Sequence, residues 1–394
     1  MKKRVLILTE RFYPEEFLIN DLAAEWQKQG FQVEVLTQAP SYPHDKIFPG
    51  YKNKLYQTTV ELNGIPVHRV RTVLGYNSSV AKKILNYISF AFLTCIFALF
   101  SGWKYHRVFT FHSGPLTMAS AGVIFRFIWW KKCMIWTQDV WPDTVYNYGV
   151  KPSLWMRIFL NIIIKTIYSG YTAISASCPG FISKMSLYTK KEVVCFPQWT
   201  TLSQILPEKA KSSPVIFTFA GNIGTVQNLH NVIRLFGDLQ RDDMLLRIVG
   251  GGINLEPLKS FVLEQNYKNV IFTGRLPQNE MPEQFKLSDV LVISLKPEFD
   301  LTIPAKFQAY IASGRPILGL VRGDTAALIE RYNVGVAADP SDGNAITEAF
   351  LKMANATDDQ FAQWRKNALE LSNNEFSREK IINAMTEKLI ATKA

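Results

Sequence analysis

Residues 297–316, PEFDLTIPAKFQAYIASGRP, decide how this chain folds. Glu298, Asp300 and Thr302 place acidic and hydroxyl groups in a loop. Pro304 reads as the first residue of a helix, because its missing N–H would have no intrahelical partner there, and Gly314 as its end, because glycine tolerates positive φ. A new apolar strand, Pro316 to Leu320, follows. A helix that starts after a strand and loop is where an open α/β sheet offers backbone N–H groups and partial positive charge to an anion. Lys306 stands in the first turn of that helix, and Gln308 follows it. Read alone, Lys306 is either a solvated side chain on a capped helix or the counter-charge of a bound anion.

Outward from this stretch the same unit repeats. VIFTFAGNIGTVQNLHNVIRLF (215–236) reads as strand, glycine-bearing turn and helix, with Gly221 and Gly224 in the turn and the helix starting at about Val226. Glycines there let a backbone approach a diphosphate, which the helix N–H groups would then meet; the alternative is plain strand-to-helix geometry. LRIVGGGI (246–253) is a strand that ends in Gly250 and two further glycines. VIFTGRL (270–276) ends in Gly274 and Arg275, and VLVISLKPEFD (290–300) leads back into the opening stretch. Strands that end in Gly, Lys or acid with helices between them predict a nucleotide-binding α/β domain.

The N-terminal half alternates in the same way. Val5–Thr9 and Val33–Thr37 are strands, Phe17–Gln29 is a helix closed by Gly30, and Asn63-Gly64 marks a hairpin between Thr58–Leu62 and Val67–Val70. The loops ERFYPEE and QAPSYPHDKIFPGY lie at the carboxyl ends of strands, where such sheets bind ligands. MIWTQDVWP (134–142) runs from strand into a loop tipped with Gln138, Asp139 and Trp141. A carboxylate beside an indole there either grips a sugar hydroxyl or caps the next turn. Strands at Ala173–Ser175 and Val193–Phe196 close this half, and the polar stretch 200–213 reads as an interdomain linker. The last helices, Gln360–Leu371 and Arg378–Ile390, are expected to pack back on the first domain.

At 394 residues and 47% hydrophobic content the chain buries two cores. The expected divisions are 1–200, 201–375 and a final helix, 376–394. Four cysteines with neither C-x-x-C spacing nor a nearby His are expected to be reduced, and the segment after Met1-Lys-Lys-Arg is too short for a signal peptide, so a cytoplasmic setting is expected. The net charge of +11 belongs to one half: residues 1–200 carry +12, residues 201–394 carry −1. No zinc finger, RNP-type motif or basic helix supports nucleic acid as the partner. The same half holds Ile84–Phe100, uncharged and flanked by Lys82, Lys83 and Lys104, and Leu154–Tyr168. An anionic membrane surface therefore fits better, with Ile84–Phe100 either buried or lying in the interface rather than spanning.

Taken in series, FYPEE, APSYPHDKIFPGY, WTQDVWPD, AISASCPGF, FPQW, FAGNIGTVQNL, IPAKFQAYIASGRPIL and Asp324–Glu330 resemble the bacterial family 4 glycosyltransferases over nearly the full length. The nearest branch is that of surface-polysaccharide and O-antigen enzymes, which includes L-fucosamine and colanic acid transferases. The resemblance implies the GT-B fold, two facing Rossmann-like domains with a cleft between them. It also implies retaining transfer from a nucleotide sugar, taken as a UDP-sugar, to an undecaprenyl-diphosphate-linked saccharide, with no metal or other cofactor; no Asp-x-Asp occurs.

By position, the resemblance assigns donor binding to Gly221, Asn222, Gly224, Gln227, Gly250 and Arg275, and to Pro304, Lys306 and Gln308. It assigns acceptor binding to Tyr13, Glu15, Gln138 and Trp141, and chemistry to Asp139, Lys306 and Asp300. Gln308 and Asp300 stand where many members carry the two glutamates of a Glu-x7-Glu pattern, for ribose and donor sugar. Asn222 and Gln227 replace a common Arg and Lys, which leaves more of the charge neutralisation to Lys306. A UDP-sugar 2-epimerase, which would need acids and His groups converging on the sugar, shares the architecture; His44 and His112 lie near loop mouths. A non-catalytic partner in polysaccharide assembly is the third reading.

Overall fold

The computed structural model describes residues 3–42, 45–75, 78–142, 153–201 and 206–391. His44 lies outside the described residues, as does part of the 200–213 stretch. The chain forms two compact units, one of residues 1–197 with 379–394, the other of residues 198–378.

Unit 1 is built on strands β1 (Arg4–Thr9), β2 (Gln32–Gln38), β3 (Tyr56–Glu61), β4 (Ile65–Val70), β5 (Arg107–His112), β6 (Lys132–Thr137), β7 (Ala173–Ala176) and β8 (Val193–Cys195). They lie in the order β3-β4-β2-β1-β5-β6-β7-β8. All pairings are parallel except the β3–β4 hairpin at the edge. Central strands such as Val5–Leu8 are buried on both faces and read as continuous apolar runs, as parallel strands covered by helices must. The helices are α1 (Leu18–Lys28), α2 (Val80–Ser101), α3 (Ala121–Phe127), α4 (Leu154–Ser169) and α5 (Pro179–Met185).

By length and composition α2 could cross a membrane. One face of it nevertheless packs on the unit: Phe90 and Thr94 are fully buried, and Trp129 donates its indole N–H to the Ala98 carbonyl (2.8 Å). The other face exposes Ile88 and Phe92.

Unit 2 runs β9 (Val215–Ala220), α6 (Leu229–Gly237), β10 (Met244–Val249), α7 (Leu255–Glu264), β11 (Val270–Gly274), α8 (Met281–Leu287) and β12 (Val290–Ser294). It continues with α9 (Ala305–Ser313), β13 (Ile317–Leu320), α10 (Gly323–Arg331), β14 (Gly335–Ala338), α11 (Gly343–Ala354) and α12 (Asp358–Asn374). The parallel sheet has the order β11-β10-β9-β12-β13-β14 over a core that includes Phe217, Phe236 and Phe350. The segment before β9 is strapped to this unit: Lys209 pairs with Asp289, and Lys211 donates to the carbonyls of Ala354 and Ala356.

The final helix, α13 (Arg378–Ala391), belongs to unit 1. Trp26 of α1 donates its indole N–H to Thr386 Oγ1 (2.8 Å), and the Arg107 guanidinium donates to the Leu389 carbonyl (3.2 Å). In both sheets the chain leaves the middle in one direction and returns to build the other way. The turning points lie between β1 and β5 and between β9 and β12, and such switch points are where open α/β sheets hold ligands.

Candidate functional site

At the switch point of unit 2, β9 is followed by Gly221 and β12 by the 295–304 loop. The Gly221 N–H donates to the Val249 carbonyl (2.8 Å), the Ile223 N–H to Gly251 (2.9 Å), the Gly250 N–H to Gly274 (2.8 Å) and the Lys296 N–H to Val226 (2.8 Å). Four strand ends are thereby laced into one floor. Only glycine fits at 250: a Cβ there would lie 1.9 Å from the Gly221 carbonyl oxygen, and its φ is +145°.

Helix α9 is placed over this floor by Tyr310, a fully buried residue whose hydroxyl accepts from the Ala220 N–H (3.0 Å) and donates to the Ala220 carbonyl (3.2 Å). Lys306, four residues earlier on the same helical face, lies across Gly221. A Cβ at Gly221 would sit 3.1 Å from Lys306 Nζ, which lies 3.6 Å from the centre of the Phe219 ring. Nζ is buried with no hydrogen-bond partner among the described residues, and burial lowers its pKa to about 7. A cationic group held against an aromatic face, at a switch point and without a carboxylate, is an arrangement that an arriving anion completes.

The other expected donor residues are placed with differing results. Pro304 is the N-cap of α9, with extended ψ of 142°, rather than its first helical residue, and Gly314 ends the helix at φ +69°. The expected helix from Val226 is instead a single 3-10 turn, Thr225–Gln227, after which Asn228 turns left-handed and α6 begins at Leu229. Gln227 serves that turn, its Oε1 accepting from the Gly224 N–H (3.0 Å), so this oxygen is spent on local structure. The Asn222 side chain folds over the same turn, between Gly224 and Gly252. Gln308 is almost fully buried; with its amide oriented so that the nitrogen faces the helix start, it donates to the carbonyls of Pro304 (3.0 Å) and Ala305 (2.9 Å) of its own helix. Arg275 is exposed beside Gly251. Asp300 is also exposed, its backbone locked to the start of α10 by the Asp324 N–H (3.0 Å).

In unit 1, Asp139 is half-buried just past β6, and desolvation pushes its carboxyl up to about 6. Gln138 precedes it, tied to β5 by its N–H to the His112 carbonyl (2.8 Å); Trp141 is half-buried. Tyr13 is exposed, with Arg69 donating to its carbonyl (2.7 Å). Glu15 is buried, and its Oε1 accepts from the N–H groups of Ser41 (2.9 Å) and Tyr42 (2.7 Å) and from Arg11 (3.3 Å). Its carboxylate therefore clasps two loops together instead of facing outward. Among the described residues no cluster of three or more His, Cys, Asp or Glu could hold a metal ion.

Two groups escaped the sequence reading. Tyr310 carries a weak signal, its spacing of four from Lys306. Glu10 follows directly on β1; it is buried, and desolvation pushes its carboxyl up to about 7.

Residues 204–371 match the family of glycosyl transferases group 1. The chain is 22% identical over 251 residues to the probable glycosyltransferase WbjE of Pseudomonas aeruginosa, a match covering 59% of this chain and 62% of the relative. It is 23% identical over 316 residues to the putative colanic acid biosynthesis glycosyl transferase WcaI of Escherichia coli (strain K12), covering 74% and 75%. Among solved structures it resembles sucrose-phosphate synthase from Thermosynechococcus elongatus, with a TM-score of 0.76 at 14% identity and both chains wholly covered. It also resembles Anabaena Alr3699/HepE in complex with UDP and glucose, with a TM-score of 0.71 at 12% identity over 99% of this chain and 100% of that one. These likenesses give the fold as GT-B, two Rossmann-like domains.

Proposed function

We propose, from the match of residues 204–371 to the glycosyl transferases of group 1, that the protein is a retaining glycosyltransferase of bacterial surface-polysaccharide synthesis. It moves a sugar from a nucleotide-sugar donor to a lipid-linked saccharide, undecaprenyl diphosphate carrying the lipid end. The observation that carries this is the buried, unpartnered Lys306 ammonium over Gly221 at the switch point of unit 2. A donor diphosphate supplies the missing counter-charge, helped by the backbone dipoles of the Gly221–Gly224 turn and the start of α9. The UDP named for the HepE complex supports UDP as the nucleotide.

In the reaction the bond from the sugar's anomeric carbon to the diphosphate oxygen breaks while the acceptor hydroxyl bonds to that carbon on the same face. The hydroxyl proton passes to the leaving phosphate. Negative charge grows on the diphosphate as the bond breaks, so Lys306 and the fixed N–H groups stabilise the transition state more than the ground state. Asp139 orients a sugar hydroxyl through its carboxyl, and Asp300 faces the donor sugar. The basic, apolar half docks on an anionic membrane at the inner face of the cell, where such acceptors lie.

Lys306→Ala is expected to lower transfer of labelled sugar into membrane lipid by at least about tenfold, the loss of one charge-assisted phosphate contact. Unchanged transfer would overturn the assignment. A thermal-shift screen over UDP-, GDP- and dTDP-sugars identifies the donor, and conversion to a new free nucleotide sugar without transfer would mark an epimerase instead.

A further inference from the structure

Unit 2 carries a cleft of about 370 Å³ between the strap before β9, the ends of α8 and α9, and the start of α12. Asp289 and Pro316, which precede β12 and β13, line it, so it lies at the amino edge of the sheet, away from the switch point. Gly314, which closes α9, is part of its wall, and about 12 Å of helix separates it from Lys306 at the other end. A molecule in the cleft therefore leaves Lys306 free for another.

Two guanidinium groups line the cleft, those of Arg315 and Arg365. Arg315 is 4% exposed, and its Nε and Nη2 donate to the carbonyls of Phe285 (3.1 Å) and Lys286 (3.3 Å) at the end of α8. Arg365 gives its Nη2 to the Leu206 carbonyl (2.7 Å). Its Nη1 is buried with no hydrogen-bond partner among the described residues, and buried polar atoms are nearly always paired. Glycine at 314 lets this nitrogen approach the chain: a Cβ there would lie 3.1 Å from it. Burial lowers the pKa of Arg315, and the neighbouring charge of Arg365 lowers it further.

The acids of the cleft leave this pair uncompensated. Asp289 is buried and its charge offsets part of the repulsion, but both its oxygens are engaged. Oδ1 accepts from Lys209 and from the Ser212 N–H (3.1 Å), and Oδ2 from the Ile216 N–H (2.7 Å). Asp358 and Asp359, in the first turn of α12, are exposed at the rim. Two guanidiniums side by side, one with a free N–H, suit the oxygens of a dianionic phosphate better than a single carboxylate. The rim acids accept from hydroxyls and repel a second phosphate, which disfavours a nucleoside diphosphate here. The volume is that of a small-molecule site and leaves room beyond a bare phosphate.

We propose that this cleft is a second ligand site of unit 2, for a hydroxylated phosphomonoester of the size of a sugar phosphate. Its phosphate lies between Arg315 and Arg365, and its hydroxyls reach Asp358 and Asp359. Such a site stands whatever reaction takes place at Lys306.

The test uses the full chain, both as wild type and as Lys306→Ala, which removes the cation of the other site. Calorimetry titrates each with glucose 1-phosphate, glucose 6-phosphate, ribose 5-phosphate, inorganic phosphate and glucose. At least one sugar phosphate binds both proteins, about tenfold or more tighter than inorganic phosphate, and glucose does not bind up to about 10 mM. Arg365→Gln lowers that affinity by at least about tenfold, the loss of a charge-assisted contact, while the thermal shift by UDP stays within about twofold. The double variant Asp358→Asn, Asp359→Asn weakens the sugar phosphate but not inorganic phosphate. Should Arg365→Gln fail to fold, the wild type carries the comparison: the bound sugar phosphate protects Arg365 from phenylglyoxal, read by mass spectrometry. No binding of any sugar phosphate, or equal affinity in the wild type and folded Arg365→Gln, overturns the site. Binding lost in Lys306→Ala but kept in Arg365→Gln places the phosphate at the switch point and overturns it too.

Discussion

In the proposed role Lys306 has two requirements that pull against each other: it must be charged when an anion is present, and it is buried when none is. Burial lowers its pKa from 10.5 to about 7, so the free protein holds it largely neutral at pH 8. A bound diphosphate restores the charged form. Binding of UDP at pH 8 should therefore take up close to one proton, and at pH 6 almost none, because there the amine is already protonated. Calorimetry in buffers of different ionisation enthalpy measures this uptake. A binding enthalpy independent of buffer at pH 8 would overturn the role, and Lys306→Ala should abolish the dependence. The sign for stability follows the same logic: the unfolded chain binds the extra proton between about pH 7 and 10.5, so this residue's burial costs most below 7. The cation at a helix start was legible in the sequence, but its burial was not, since an aromatic at 219 has no sequence spacing that announces contact with residue 306. Gln227 and Gln308 were legible as positions only. A primary amide bonds whichever backbone groups its turn leaves open, and that is settled by dihedral angles such as those of Asn228.

At the scale of elements, the alternation of apolar strands and helices fixed the fold class, because two-sided burial and amphipathic helices leave different periods in the sequence. It could not fix where the helix after Gly224 begins. Gly-Thr-Val-Gln starts a 3-10 turn as readily as an α-helix, and the outcome depends on Lys296 bonding Val226 from another loop. The apolar helices show the complementary case, legible as unusual but not as to which face is free. In the structure Trp155 and Phe159 of α4 are 80% and 62% exposed, and Ile88 and Phe92 of α2 are also exposed, with Lys82 and Lys83 at the start of α2. Exposed aromatics bordered by lysines favour insertion into an anionic bilayer surface. The protein should partition onto anionic vesicles, less so at high salt. The double variant Trp155→Glu, Phe159→Glu should lose at least about tenfold in partition, since each inserted aromatic is worth roughly 1.5–3 kcal/mol. Vesicle sedimentation checks it, with circular dichroism to establish that α4 is intact. Equal sedimentation of wild type and variant would overturn the docking face.

At the scale of the whole molecule, the two units are not two consecutive stretches of chain, because α13 completes the first after the second has been made. The sequence predicts that both last helices, Gln360–Leu371 and Arg378–Ile390, pack back on the first domain; α13 does so, whereas α12 belongs to unit 2, because an amphipathic pattern states that a face is covered and not by which element. The structure supplies the partner. Ile381, Ile382, Met385 and Leu389 are buried, and Thr386 receives the indole N–H of Trp26, itself stacked edge-on against Phe109 of β5 at 4.9 Å. Ending the chain at Arg378 would uncover the surface these four large apolar side chains cover and leave the Trp26 N–H without its partner. At roughly 1.5–3 kcal/mol for each buried side chain, the loss is comparable to the 5–15 kcal/mol that holds a typical domain folded. Unit 2, whose core contains none of these residues, should persist. Calorimetry of the truncated protein should accordingly show the transition of unit 1 lost or shifted well down, and a remaining transition that UDP still raises. Loss of the UDP-sensitive transition together with that of unit 1 would show that unit 2 depends on α13, and unchanged melting of both would show that α13 contributes no stability to the sheet it covers.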